Sequence, residues 1–127
     1  MDWRILCVIM AGGGLGAGLR AALGQWVATN VASAFPVGTF TVNVIGSFAI
    51  GVASVVLADR AIQADWIRVF LMTGFLGGFT TFSSFSIETV HLIQNGRAAL
   101  AASYIAASVI LCVGGAMAGI YAARTLG

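Results

Sequence analysis

Four stretches of apolar sequence, each long enough to cross a lipid bilayer, leave this chain few ways to fold. A crossing helix needs about 20 mostly apolar residues. Such stretches run from Ile5 to Val31, Thr39 to Leu57, Trp66 to Asn95 and Ala98 to Ala123. The first contains Arg20 and the third Glu88, while the second and fourth carry no charge. The connectors are short. Phe35-Pro36-Val37-Gly38 holds the only proline and reads as a turn. The next connector, taken with the first turn of the third stretch, holds Asp59, Arg60, Asp65 and Arg68, and the last is Asn95-Gly96-Arg97. Nothing is left over for a soluble domain, so residues 1–127 read as one all-α, four-span membrane domain. The first stretch runs on through its glycines well past the apolar core of a signal peptide, and so reads as a retained span.

Charge supports the same conclusion. Only 8% of residues are charged, against about 25% in soluble domains. That is too little to cover a water-facing surface, so lipid must take the place of water. A net charge of +2, spread over six scattered arginines, excludes a nucleic-acid partner. Gly12, Gly13, Gly14, Gly16 and Gly18 lie in an apolar segment with no preceding strand. They fit close helix packing in lipid rather than a phosphate loop. Cys7 and Cys112 sit in apolar runs and read as small buried hydrophobes.

Polar residues within the spans are costly and therefore informative. Residues four apart share a helix face. Thr39, Asn43 and Ser47 form one such stripe, and Tyr104, Ser108 and Cys112 another. A third is Thr80, Ser84 and Glu88, with His91 close to the same face. One hydroxyl is most simply explained by a bond back to its own helix. Three aligned stripes, one with a carboxylate, point to a hydrated or ion-carrying path. In the third span Gly74, Gly77 and Gly78 weaken the helix. Carbonyls freed by a break there can hold a cation, as in transporters; the other reading is close packing through Gly74 and Gly78. Phe82 and Phe85 follow among serines, an odd setting for a plain apolar face. The positive edge of an aromatic ring can meet an anion.

Gly38 to Asn43 (Gly-Thr-Phe-Thr-Val-Asn) and Thr73 to Thr89 (Thr-Gly-Phe-Leu-Gly-Gly-Phe-Thr-Thr-Phe-Ser-Ser-Phe-Ser-Ile-Glu-Thr) resemble the CrcB/Fluc family of fluoride channels across essentially the whole chain. The resemblance implies a multi-pass protein of the bacterial inner membrane, with a third helix broken mid-membrane. It implies an antiparallel, dual-topology homodimer that gives passive fluoride efflux through two pores. It also implies a structural sodium ion at the dimer centre, held by the backbone carbonyls of Gly77 and Thr80. The phenylalanine pair corresponds to Phe82 and Phe85, the pore asparagine to Asn43, and the vestibule arginine to Arg20. The polar track includes Ser84, Tyr104 and Ser108, with Thr39 and Glu88 also in the pore set. Cys112 departs from the pattern, because a hydroxyl is expected there and a thiol is a weaker donor.

Arg4, Arg60, Arg68 and Arg124 fall on the side of the termini, against Arg97 and Arg20 on the other. This leans toward cytoplasmic termini and sits awkwardly with dual topology. Two other readings are a small proton-coupled drug transporter using Glu88 and a structural subunit of a larger complex. Flux from the purified protein alone separates the channel from both.

Overall fold

The computed structural model describes residues 1–59 and 65–127. Arg60, assigned above to the second connector, lies outside the described residues. Helix α1 spans Trp3–Asn30 and α2 spans Val37–Asp59. The third span, Asp65–Gln94, is composite. It begins with α3 (Asp65–Arg68), continues as a π-helical segment (Val69–Leu76) and α4 (Gly77–Phe79), and ends with α5 (Phe82–Gln94). Helix α6 spans Ala98–Leu126. The four spans are 28, 22, 30 and 29 residues long, and all are apolar enough to cross a bilayer. Among the described residues there is no strand. The protein is an all-helical, multi-pass membrane protein.

Local chemistry sets the helix ends. Asp2 caps α1 by accepting the Arg4 N–H at 3.3 Å. Pro36 precedes α2, and its carbonyl accepts the Phe40 N–H at 3.1 Å. The α5–α6 turn is a Schellman closure, with Gly96 N–H donating to Ile93 and Arg97 N–H to Leu92. Gly96 takes φ +76°, a left-handed conformation that costs glycine little.

The glycines serve mainly to bring backbones together. A Cβ at Gly12 would lie 2.7 Å from the Phe70 carbonyl oxygen, and one at Gly16 would strike the Phe75 carbonyl. From the other side, Gly74 meets Gly12, and Gly78 meets the backbone of Gly13. Helix α1 and the third span therefore pack with main chain against main chain, through Gly74 and Gly78. Dispersion between closely approaching backbones is what holds membrane helices together where no hydrophobic effect operates. Gly51 of α2 and Gly119 of α6 do the same for the second pair of spans, against Ala116 and Phe48.

Helical geometry is interrupted not at these glycines but just after them. Gly77 is helical, whereas Thr80 (φ −87°, ψ 156°) and Thr81 (φ −148°, ψ 117°) are extended. Gly46 of α2 makes room for this turn of chain, since a Cβ there would meet the Thr80 methyl group and the Phe79 ring. Thr81 then caps α5, its hydroxyl accepting the Ser84 N–H at 3.2 Å. Cys7 and Cys112 are both free. Cys7 is exposed rather than buried, because α1 turns that face outward.

Candidate functional site

The extended backbone at Thr80 and Thr81 interrupts helical pairing inside a membrane span; the Thr80 N–H still donates to the Leu76 carbonyl at 3.1 Å, but both Thr81 groups need other partners. Asn43 supplies two. Its Nδ2 donates to the Thr81 carbonyl at 3.0 Å, and its Oδ1 accepts the Thr81 N–H at 2.7 Å. This two-bond clasp fixes which way the amide points, because the backbone N–H must face oxygen. An asparagine amide has two N–H donors, so one stays free. Asn43 also lines a cavity.

The clasp has a second effect. In a continuous α-helix the Gly77 carbonyl would take the Thr81 N–H, and the Thr80 carbonyl would take that of Ser84. Both donors are diverted here, the first to Asn43 and the second to the Thr81 hydroxyl. The Gly77 and Thr80 carbonyls are left without their helical partners. Arg20 takes the next carbonyl, its Nε donating to Gly78 at 3.0 Å.

Further along α5, Glu88 is held by two hydroxyls. Thr39 donates to Oε1 at 2.6 Å, and Tyr104 donates to Oε2 at 2.8 Å. Tyr104 is fully buried. Its ring packs on Phe35, with centroids 5.2 Å apart and nearly perpendicular planes, and on Phe85 at 5.1 Å. Phe85 in turn lies 5.4 Å from Phe82.

Two cavities flank this cluster. One, about 340 Å³, is lined by Asn43, Ser47, Gly77, Thr80, Phe82, Phe85, Ser108 and Cys112, among others. The other, about 410 Å³, is lined by Thr39, Glu88, His91 and the Phe35–Pro36 turn. Phe85 and Tyr104 join the first cavity to the carboxylate that borders the second. A row of amide, hydroxyl and aromatic groups thus runs between them. Such groups can replace the hydration of a small ion without adding a fixed cation.

The structure brings together most of the residues singled out by pattern. The three stripes converge, since Thr39 and Asn43, Glu88, and Tyr104 and Ser108 come from three different spans. Ser84 and Arg20 are placed otherwise. Ser84 lines neither cavity and contributes its N–H to the Thr81 cap. Arg20 also lines neither and ties α1 to the third span. Sequence reasoning missed Thr81 and Phe35. The paired β-branched threonines after two glycines were a usable signal for extended backbone. Nothing in the pattern around Phe35 announced its contact with Tyr104.

A family profile described as "CrcB-like protein, Camphor Resistance (CrcB)" matches residues 7–120. The chain is 47% identical over 126 residues to a protein of Rhodospirillum centenum named fluoride-specific ion channel FluC, covering 96% of this chain and 97% of the relative. It is 44% identical over 119 residues to a Rhizobium johnstonii protein of the same name, covering 94% and 95%. A Cereibacter sphaeroides protein, again so named, is 49% identical over 125 residues and covers 94% of each chain. These matches extend through all four spans, and the chain belongs to the CrcB-like family, a family of ion channels and not of enzymes.

Proposed function

We propose that this protein is a fluoride-selective channel of the bacterial inner membrane, giving passive efflux of fluoride. The observation that carries the reading is the row of neutral donors and aromatic rings between the two cavities, from Asn43, Phe82, Phe85 and Ser108 to Tyr104 and Thr39. The names of the relatives agree with it. A bare anion in a dry interior costs tens of kcal/mol by Born estimates. Fluoride is small, so its waters must be replaced by donors at short range. The free Asn43 N–H, the Ser108 hydroxyl and the edges of Phe82 and Phe85 suit that task. Nearer the second cavity, the Tyr104 and Thr39 hydroxyls already donate to Glu88. An anion that passes there competes with the Glu88 carboxylate for these two donors. With a negative cell interior, the potential drives an anion outward by about 2.3 kcal/mol per 100 mV.

The working unit in this proposal is an antiparallel homodimer with two pores. Phe82 is 79% exposed in the single chain, beside extended backbone and a cavity whose largely apolar wall carries Asn43, Ser47 and Ser108. Non-helical backbone and polar side chains at membrane depth need protein or water against them. A second copy, related by a two-fold axis in the membrane plane, supplies that cover. The same symmetry brings the Gly77 and Thr80 carbonyls of both copies to one centre. Their lost helical partners make them fit ligands for a structural sodium ion, a hard cation that prefers oxygen. Such an ion would offset the carbonyl dipoles that the clasp leaves unpaired.

The deciding experiment is efflux of fluoride and of chloride from vesicles holding only the purified protein. Fluoride efflux far faster than chloride efflux is expected, and comparable rates would refute selectivity. For the sodium ion, a bulky residue at Gly77 should abolish both the ion and function. Thr80→Ala should be mild, since the Thr80 hydroxyl only bonds back to the Leu76 carbonyl at 3.1 Å. Density showing only packed side chains at the symmetric centre would refute the site.

A further inference from the structure

Cys112 lies one helical turn beyond Ser108 on α6, on the wall of the 340 Å³ cavity that also holds Asn43, Phe82 and Phe85. It is free and half-buried. Ser108 beside it is only 8% exposed, and its Oγ has no hydrogen-bond partner among the described residues. Buried polar atoms are normally paired, so an unpaired hydroxyl in this wall marks a place that receives a mobile polar guest, water or an ion. The wall of the cavity is largely apolar, and Asn43, Ser47, Thr80 and Ser108 are the points on it where a water, whose share of liquid volume is about 30 Å³, can be held. Water matters for a cysteine, because the thiolate is the reactive form and needs solvation to appear. Cys7, the other thiol, sits on α1 and lines neither cavity.

We propose that Cys112 is a covalent modification site within the ion pathway, where a small thiol-specific electrophile attaches and stops ion passage. The inference rests on the channel reading given above. Methyl methanethiosulfonate is the probe. The Cys112 thiol gives its proton to water, and Sγ attacks the sulfenyl sulfur of the reagent. A new S–S bond forms to a methylthio group. The sulfur–sulfonyl bond breaks, and methanesulfinate leaves with the electron pair. The product adds bulk beside Ser108 and the phenylalanines and removes the S–H donor. A hydroxyl at this position would not react, so the sensitivity belongs to the thiol that this chain carries.

The test uses the full-length protein in vesicles, with fluoride efflux and intact mass read on the same sample. Treatment should add one methylthio group at Cys112 and slow efflux at least about tenfold, a barrier increase of about 1.4 kcal/mol. Dithiothreitol should reverse both changes. C7S should remain sensitive, and C112S, compared with its own untreated rate, should be resistant. A conducting protein whose Cys112 stays unlabelled, or is labelled without loss of efflux, overturns the inference alone. Sensitivity that follows Cys7 overturns it too. No fluoride efflux from the untreated protein overturns the channel reading, and the block with it.

Discussion

Removing the Asn43 side chain while keeping its bulk should destabilise the protein by about 3 kcal/mol, bounded as follows. Asn43→Leu removes both bonds of the clasp, at 3.0 and 2.7 Å, and strands the N–H and carbonyl of Thr81. Side-chain bonds between membrane helices average about 0.6 kcal/mol each, which sets a floor of about 1 kcal/mol for the pair. Two unpaired backbone groups at about 1–3 kcal/mol each set a ceiling of about 6 kcal/mol. The expected value lies between, because Thr81 is only half-buried and local water or its own hydroxyl can recover part of the loss. Asn43→Asp should fall closer to the parent. It keeps the bond from the Thr81 N–H, but it sets a second oxygen against the Thr81 carbonyl where an N–H stood. The assay is reversible unfolding in mixed detergent micelles, followed by tryptophan fluorescence. Ser47→Ala, one turn along the same stripe, is the control and should stay within about 0.5 kcal/mol. If Asn43→Leu is as stable as Ser47→Ala, the clasp carries no structural weight and the extended backbone at Thr80 and Thr81 is held by something else.

Two further outcomes are expected. Phe82→Ile and Phe85→Ile keep most of the volume but lose the ring edge; both should stay folded by gel filtration, and a loss of about 4 kcal/mol at the barrier would slow fluoride efflux about a thousandfold. Near-normal efflux from both would make the rings mere filling. Gly16→Ala forces a methyl group onto the Phe75 backbone carbonyl, which no side-chain rotation relieves, and should cost about 1–3 kcal/mol in the same unfolding assay. Gly14→Ala, with nothing within 4 Å, should be neutral or gain up to about 1 kcal/mol of helix propensity; equal effects at the two positions would contradict the packing of α1 on the third span.

The class of fold was legible in the sequence because lipid leaves a chain few options. Long apolar runs, scarce charge and one proline in a short turn fix four helices, and the observed ends fall within about three residues of those read from the pattern. The stripes were legible for the same reason, since a polar group in lipid is expensive wherever it stands. The meeting of the stripes was decided in three dimensions. Thr39, Glu88 and Tyr104 lie on three spans, and a helical repeat records which face each occupies but not which neighbour that face meets. The site of the helix interruption was also a tertiary matter. Glycine propensity pointed to Gly74, Gly77 and Gly78, yet all three stay helical, Gly74 and Gly78 with the α1 backbone packed against them. The chain extends instead at Thr80 and Thr81, where Asn43 satisfies the backbone and Gly46 leaves room. Arg20 shows the same limit: its charge could be read as a lure for anions, but only the packed structure puts its Nε 3.0 Å from the Gly78 carbonyl. Composition and periodicity report what each residue costs in lipid, and that settles helices and faces. Partners depend on which faces meet and how closely, and that is set by the shapes of the packed helices.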